Sequence, residues 1–286
     1  MGKRLTAPAI RARKRSAGAE PLVMLTAYDY PSARMVDDAG ADLILVGDSL
    51  AMVVLGYDNT LQVTVDDMAH HIGAVARANP KAMIVGDMPW MSFHVSVEDT
   101  VRNAARLIRA GAQCVKIEGG HERVPMVDAL VAAEIPVMGH IGLTPQSVHA
   151  MGGFKVQGKE ASAALALVDE AKALEHAGCF ALVIEGVPNL VANVVTEAVQ
   201  CPTIGIGAGP GTDGQVLVFH DVLGLQDDFM PKFVRQYASL KIDGIAALSR
   251  YCSDVRDGSF PADAESYHIS DEEAEALGLY GSSPDV

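Results

Sequence analysis

Short apolar runs recur along the chain, and several of them end in a polar or charged residue. In three runs, at 39–48, 110–118 and 177–185, an Ala-Gly pair comes first and a carboxylate closes the run. Glycine accepts the left-handed backbone that ends a helix, and an unbroken apolar run suits a strand buried on both faces. The complete pattern predicts eight strands, near residues 22–27, 42–47, 82–87, 113–118, 135–140, 180–185, 202–206 and 215–219.

Apolar residues at helical spacing separate these strands, as in Val97–Ala110 and 160–177. Between the last two strands only residues 207–214 remain, fewer than a parallel crossover usually needs, so the seventh helix is predicted to be truncated or missing. A further helix is predicted within 228 to about 257, with Pro231 in its first turn. The fold class is therefore α/β, a (β/α)8 TIM barrel with a shortened seventh repeat and extra terminal segments.

Length and charge set the expected organisation. A barrel of about 250 residues accounts for most of the 286-residue chain, so we expect one catalytic domain at 21–260, a flexible basic arm at 1–20 and an acidic tail at 261–286. The net charge of −14 argues against general nucleic-acid binding, although the basic arm alone is also compatible with a nucleic-acid arm or a targeting peptide. The most apolar stretch, 41–55, is interrupted by Asp48, so no membrane span is expected.

The four cysteines are far apart and lack the close spacing of zinc or redox motifs. We expect buried or inert thiols in a reducing compartment, and hence a cytoplasmic protein.

The predicted strands end in an unusually polar set of residues: Asp48 and Ser49, Asp87, Lys116 and Glu118, His140, and Glu185. In (β/α) barrels such strand ends meet at one mouth. A single aspartate there is more often a helix cap, but Asp48, Asp87 and Glu118 together would concentrate negative charge, which is costly unless a cation neutralises it. Oxygen ligands without cysteine favour Mg²⁺, which keeps several waters, so one acid is expected to act through water.

The remaining strand-end residues suggest chemistry on a 2-oxo acid. Lys116 lies two residues before Glu118, so both point into the barrel, where Lys116 would hold a substrate carboxylate. A metal-chelated 2-oxo acid has an acidified C–H bond, and Glu185, across the mouth from the early strands, is the best candidate for the base that forms the enolate. His140 is either a substrate hydrogen-bond partner or a structural group.

Nine ordered motifs resemble those of the ketopantoate hydroxymethyltransferase family. They include Val-Lys-Ile-Glu-Gly-Gly at 115–120 and Gly-His-Ile-Gly-Leu-Thr-Pro-Gln at 139–146. The others lie at 24–29, 45–50, 55–60, 85–89, 152–158, 204–209 and 213–218, and the resemblance runs from about residue 20 to 260.

The resemblance implies transfer of a hydroxymethyl group from 5,10-methylenetetrahydrofolate to 3-methyl-2-oxobutanoate, giving 2-dehydropantoate in pantothenate biosynthesis. By position, Asp48 and Asp87 match the family's direct Mg²⁺ ligands, which also contact substrate, and Glu118 its third metal-site acid. Ser49 and Lys116 match substrate-binding positions, His140 a residue beside the substrate, and Glu185 the proton acceptor. The resemblance also implies a homo-oligomer, often a decamer.

Two alternatives stay open on the sequence alone. One is another Mg²⁺-dependent carbon–carbon lyase of the phosphoenolpyruvate/pyruvate-type barrels, similar to 2-methylisocitrate lyase. Such lyases carry a cysteine in a Lys-Lys-Cys-Gly-His-type loop, whereas the loop after strand four here reads Gly-Gly-His-Glu-Arg at 119–123. The other is a barrel that binds ligands without catalysis, against which the complete set of polar strand-end residues argues.

Overall fold

A computed structural model describes residues 4–226 and 230–279 of the chain. These residues form two compact units, of which the first ends at Ala238 and the second begins at Ser239. The division falls before the predicted end of the barrel domain at residue 260. Part of the predicted acidic tail, 280–286, lies outside the described residues.

Eight parallel strands form a closed barrel in sequence order, with β1 hydrogen-bonded to both β2 and β8. They are β1 Leu22–Thr26, β2 Leu43–Val46, β3 Met83–Asp87, β4 Cys114–Glu118, β5 Val137–Gly142, β6 Ala181–Glu185, β7 Thr203–Ile206 and β8 Gly214–Leu217. The predicted strands are confirmed, each end lying within two residues of the prediction. The TIM-barrel fold class is therefore confirmed.

Helices follow most strands of the first unit and cover the outside of the barrel, while the last two helices of the chain belong to the second unit. They are α1 Ala7–Arg11, α2 Tyr30–Asp38, α3 Leu50–Val53, α4 Val65–Arg77, α5 Val97–Ala110, α6 Val124–Ala132, α7 Val148–Met151, α8 Ala161–His176, α9 Asn189–Ala198, α10 Phe219–Leu223, α11 Leu240–Asp257 and α12 Asp271–Ala276. The longer ones have clear start signals: Ser96 Oγ accepts from the Asp99 backbone N–H at the start of α5, and Thr64 caps α4.

The seventh repeat is shortened as predicted, since no helix lies between β7 and β8. The predicted start of the last long helix is wrong, because α11 begins at Leu240 rather than near Pro231. Pro231 lies in a turn, and Phe233 lies so close to Gly207, in the β7–β8 loop, that a Cβ there would be 2.8 Å from its ring. Phe233 thus packs on the loop, and residues 230–238 do not form the predicted first helical turn.

Two apolar clusters form the core. One fills the barrel interior and includes Leu43, Leu45, Met83 and Val85. The larger one lies between the strands and the surrounding helices. Because alternate residues of each strand point inward, the polar residue that follows an interior apolar pair is directed into the mouth of the barrel.

The basic N-terminal segment was predicted to be flexible, and for residues 4–20 the structure corrects this. Ile10 of α1 is fully buried in the barrel-interior cluster. The Lys14 ammonium is 8% exposed and donates to Thr196 O, to Cys201 O and, at 2.9 Å, to Asp213 Oδ2. The segment therefore closes the end of the barrel opposite the strand carboxyl ends. Its positive charge had suggested a flexible arm instead.

Three cysteines, Cys114, Cys179 and Cys201, are buried as expected, whereas Cys252 on α11 is exposed. No helix among the described residues combines the length and the apolar character needed to cross a membrane.

Candidate active site

The polar strand ends meet at the mouth of the barrel. On β3, Met83 and Val85 point into the interior and Asp87 follows in the same alternation. On β4, Lys116 and Glu118 continue the inward alternation begun by Cys114, as predicted. The register between neighbouring strands then sets Asp87 beside Lys116, and Glu118 beside His140.

Side-chain contacts connect these residues from β2 to β6. The Asp48 backbone N–H donates to Asp87 Oδ2 at 3.1 Å. Lys116 Nζ lies 2.8 Å from Asp87 Oδ1 and 3.5 Å from Glu118 Oε1. His140 Nδ1 lies 3.3 Å from Glu118 Oε1, and its Nε2 lies 3.2 Å from Glu185 Oε2. Together Asp48, Asp87, Lys116, Glu118, His140 and Glu185 form what is called here the acid cluster.

Ser49, the seventh predicted site residue, follows Asp48 at the edge of the acid cluster. Its Oγ lies 2.9 Å from the hydroxyl of Tyr28, which follows β1. Burial raises the pKa of Tyr28 above its usual value, so this hydroxyl stays neutral and able to donate.

Most of the acid cluster is withdrawn from water. Asp48 and Glu118 are 4% exposed, and Asp87, Lys116 and His140 are less exposed still. The Glu185 side chain, at 15% exposure, is the most open member. Glu185 is therefore the acid that a ligand entering the mouth reaches most readily.

The surroundings of the two aspartates disfavour their ionised forms. Burial raises the pKa of Asp48, and repulsion from Asp87 and Glu118 raises it further. Burial also raises the pKa of Asp87, outweighing the favourable charge of Lys116. A cation between these two aspartates would relieve both effects.

The charges of Lys116, Glu118 and His140 stabilise one another. Burial disfavours ionised Glu118, but Lys116 and His140 outweigh it and lower its pKa to about 2. Burial and Lys116 both disfavour a charged His140, but Glu118 and Glu185 outweigh them and raise its pKa to about 9. Burial also disfavours the Lys116 ammonium, yet the neighbouring carboxylates raise its pKa above the usual value. The acid cluster thus contains two cationic side chains, Lys116 and His140, and four acidic ones. Negative charge exceeds positive charge when all four acids are ionised, and the excess lies near Asp48 and Asp87.

The donor set fits a Mg²⁺ ion bound mainly by two carboxylates. Among the described residues, no three His, Cys, Asp or Glu side chains surround a common point that could hold a metal, and Lys116 Nζ bridges Asp87 and Glu118. Mg²⁺ is usually bound through one or two carboxylates and keeps several waters. Gln146 Oε1 is buried without a partner, and Asp87 Oδ1 and Glu118 Oε1 contact only Lys116 and His140, so oxygen atoms that could meet an ion or its waters are present.

Two neighbours of the acid cluster were not singled out from the sequence. Gln146 lies in the 139–146 motif but had no assigned role, and its amide donates to Asp48 Oδ2 at 2.9 Å. Tyr28 lies in the 24–29 motif and bonds Ser49. Each of them lies a few residues beyond a strand end, where side-chain direction depends on the turn and period-two alternation no longer applies.

Comparisons with known proteins identify relatives along most of the chain. The family model described as ketopantoate hydroxymethyltransferase matches residues 4–263. A protein named 3-methyl-2-oxobutanoate hydroxymethyltransferase from Syntrophomonas wolfei subsp. wolfei is 56% identical over 259 residues, covering 90% of this chain and 94% of the relative. Its namesake from Syntrophobacter fumaroxidans is 53% identical over 278 residues, covering 97% of this chain and 98% of the relative.

Solved structures with a similar fold are more distant in sequence. A phosphonopyruvate hydrolase complex with oxalate and Mg²⁺ superposes with a TM-score of 0.58 at 15% identity, covering 96% of each chain. A 2,3-dimethylmalate lyase of the PEP mutase/isocitrate lyase superfamily gives the same TM-score at 19% identity, again covering 96% of each chain. At this identity the likeness concerns the barrel fold alone.

Proposed function

Because the chain belongs to the ketopantoate hydroxymethyltransferase family, we propose that its acid cluster is the site where 3-methyl-2-oxobutanoate receives a hydroxymethyl group. Membership gives the reaction, a step of pantothenate biosynthesis, and favours it over the lyase and non-catalytic alternatives. The observation that carries the assignment of the site is the unbroken series of contacts from Asp48 to Glu185 across five adjacent strands.

Asp48 and Asp87 would hold the Mg²⁺ ion, with Glu118 acting through a bound water. When present, the ion would act as a Lewis acid on the ketone oxygen and so acidify the neighbouring C3–H bond. Glu118 is less suited to direct ligation because Lys116 and His140 already contact its Oε1. The raised pKa values of the two aspartates support this division of roles.

Lys116 and Ser49 would bind the substrate carboxylate. The Lys116 ammonium contacts Asp87 and Glu118 and lies 3.2 Å from His140 Nδ1, so it would add an incoming anion to these partners through its positive charge. Ser49 Oγ, held by the Tyr28 hydroxyl, would supply a second hydrogen bond.

Glu185 would remove the C3 proton, and the electron pair left on C3 would form a bond to the one-carbon unit as the bonds from that carbon to the donor's nitrogens break. Water would supply the hydroxyl oxygen, and the donor would leave as tetrahydrofolate. His140 Nε2 lies against Glu185 Oε2, so a charged His140 holds this carboxylate in one orientation and leaves its other oxygen for the proton. We propose 5,10-methylenetetrahydrofolate as the one-carbon donor, in keeping with the family resemblance.

The decisive experiment follows exchange of the C3 hydrogen of 3-methyl-2-oxobutanoate for deuterium with Mg²⁺ and without folate. The native chain should catalyse this exchange, and Glu185→Gln should slow it at least 100-fold while substrate affinity changes little. Glu197→Gln, the same change on the exposed surface of α9, is the matched control and should exchange normally. Exchange at the native rate in Glu185→Gln would remove Glu185 from the role of base.

We also propose a homo-oligomer, up to a decamer, that works in the cytoplasm. None of the residues of α11 is buried, and the exposed residues Ile242, Ile245, Leu248 and Val255 recur at helical spacing. Sedimentation should show an assembly, and Ile245→Asp with Leu248→Asp should dissociate it. A native chain that sediments as a monomer would contradict the proposal.

The proposed cytoplasmic location rests on the cysteines, because the buried, unpaired thiols are typical of a reducing compartment.

A further inference from the structure

Gln146 connects the ends of three strands through hydrogen bonds. Its side-chain amide nitrogen donates to Asp48 Oδ2 and to Met88 O, each at 2.9 Å. Its backbone N–H donates to Glu118 Oε2 at 3.1 Å. Gln146 is 4% exposed, so these bonds form out of contact with water. A single residue after β5 therefore holds one acid from β2 and another from β4.

The orientation of the amide is determined by its partners. An amide nitrogen has two N–H donors, and here both are directed at oxygen acceptors, one of which is the backbone carbonyl of Met88 and can only accept. Turning the amide over would set its carbonyl oxygen against those acceptors. Gln146 Oε1 consequently faces away from them, and it is buried without a partner.

The turn after β5 places Gln146 in this position. Gly142 ends the strand with a φ of 92°, a conformation that favours glycine, and a Cβ there would lie 2.3 Å from Glu185 O. Pro145 then begins a short 3-10 turn that contains Gln146. The backbone that leads into Gln146 is thus constrained at two points, and the amide is pre-arranged beside Asp48.

We propose that Gln146 is a positioning residue of the metal site, fixing Asp48 and Glu118 so that their other oxygens remain directed at the ion and its waters. Asp48 is bonded through Oδ2, which leaves its Oδ1 for the ion. Glu118 is bonded through Oε2, which keeps its Oε1, already beside Lys116 and His140, available to a bound water. The unpartnered Gln146 Oε1 supports the inference independently, because a buried acceptor in such a site indicates that a donor enters with the bound ligands.

The test measures binding of Mn²⁺ alone, as a probe for the Mg²⁺ site, by electron paramagnetic resonance. Gln146→Met keeps the length of the side chain but removes both N–H donors, and it should weaken Mn²⁺ binding about 10- to 100-fold. Gln200→Met makes the same substitution at an exposed position after α9 and should bind Mn²⁺ as the native chain does. The Tm of each metal-free variant monitors folding, and Gln146→Asn, with a shorter amide, replaces Gln146→Met if the latter does not fold.

Metal affinity and stability distinguish a positioning role from a merely structural one. A positioning role predicts weaker Mn²⁺ binding and C3 exchange that excess Mg²⁺ restores. A Mn²⁺ affinity within twofold of native in a folded Gln146 variant would overturn the inference, whatever its Tm. The inference rests on the proposed metal site, and a native chain that binds no Mn²⁺ would refute that proposal instead.

Discussion

Lys14 offers a direct test of whether the N-terminal segment belongs to the folded barrel. Its ammonium donates to two backbone carbonyls and to Asp213, a carboxylate that is 1% exposed. Replacing Lys14 by methionine preserves the aliphatic stem but leaves that carboxylate without its cation. We expect a clear loss of stability.

The size of the loss follows from what remains around Asp213. Removing one partner of a buried ion pair typically costs about 3–5 kcal/mol. Asp213 keeps hydrogen bonds from the Arg15 backbone N–H and from the Thr203 backbone N–H and hydroxyl, so the lower end applies. At about 2–4 °C per kcal/mol for a large domain, a loss of about 3 kcal/mol lowers the Tm by roughly 6–12 °C.

Thermal unfolding followed by circular dichroism provides the measurement. Lys172→Met, on the exposed surface of α8, is the matched control and should shift the Tm by less than 2 °C. Adding Asp213→Asn to Lys14→Met should recover part of the loss, because the unpaired charge is then gone. A Tm for Lys14→Met equal to that of the control would show that the segment does not hold the barrel, and would restore the expectation of a flexible arm.

Three further outcomes follow from the site and its surroundings. Tyr28→Phe removes the hydroxyl that bonds Ser49, so the KM for the oxo acid should rise about fivefold for one lost hydrogen bond while kcat changes little; an unchanged KM would separate Ser49 from substrate binding. Gly142→Ala should lower both the Tm and C3 exchange much more than Gly40→Ala, because both positions have positive φ but only at Gly142 would the added Cβ collide with Glu185 O. Equal effects would mean that this close approach is unimportant. A thiol reagent should leave the three buried cysteines unmodified until the chain unfolds, because burial raises the pKa of all three thiols, to about 12 for Cys201; rapid modification at neutral pH would contradict this.

The barrel and its mouth could be predicted because they depend on local pattern. A strand buried on both faces needs an unbroken apolar run, and period-two alternation then determines which strand-end side chains point inward. Lys116 and Glu118 illustrate this, since two residues of spacing were enough to predict that both point into the barrel, where they lie in contact. The missing seventh helix was equally predictable, because 207–214 is too short to form one and return.

What the sequence did not reveal depends on contacts between distant segments. Lys14 and Asp213 are 199 residues apart, so nothing local indicates that this lysine is buried and paired. Gln146 is similar, because its role depends on a turn that brings it to Asp48, 98 residues away. The late start of α11 has the same origin, since packing of Phe233 on Gly207 overrides the helix-start signal of Pro231.

His140 lies between two acids of the acid cluster, and this position affects how the cluster responds to amino-acid substitutions. The imidazole lies against Glu118 through Nδ1 and against Glu185 through Nε2, so these two acids of the acid cluster share one neighbour. Substitutions at either glutamate alter the environment of the other, and their energetic effects should not add. We therefore expect tolerated changes around this mouth to occur in compensating sets, in which a substitution at one glutamate is matched by another at its partner or at His140.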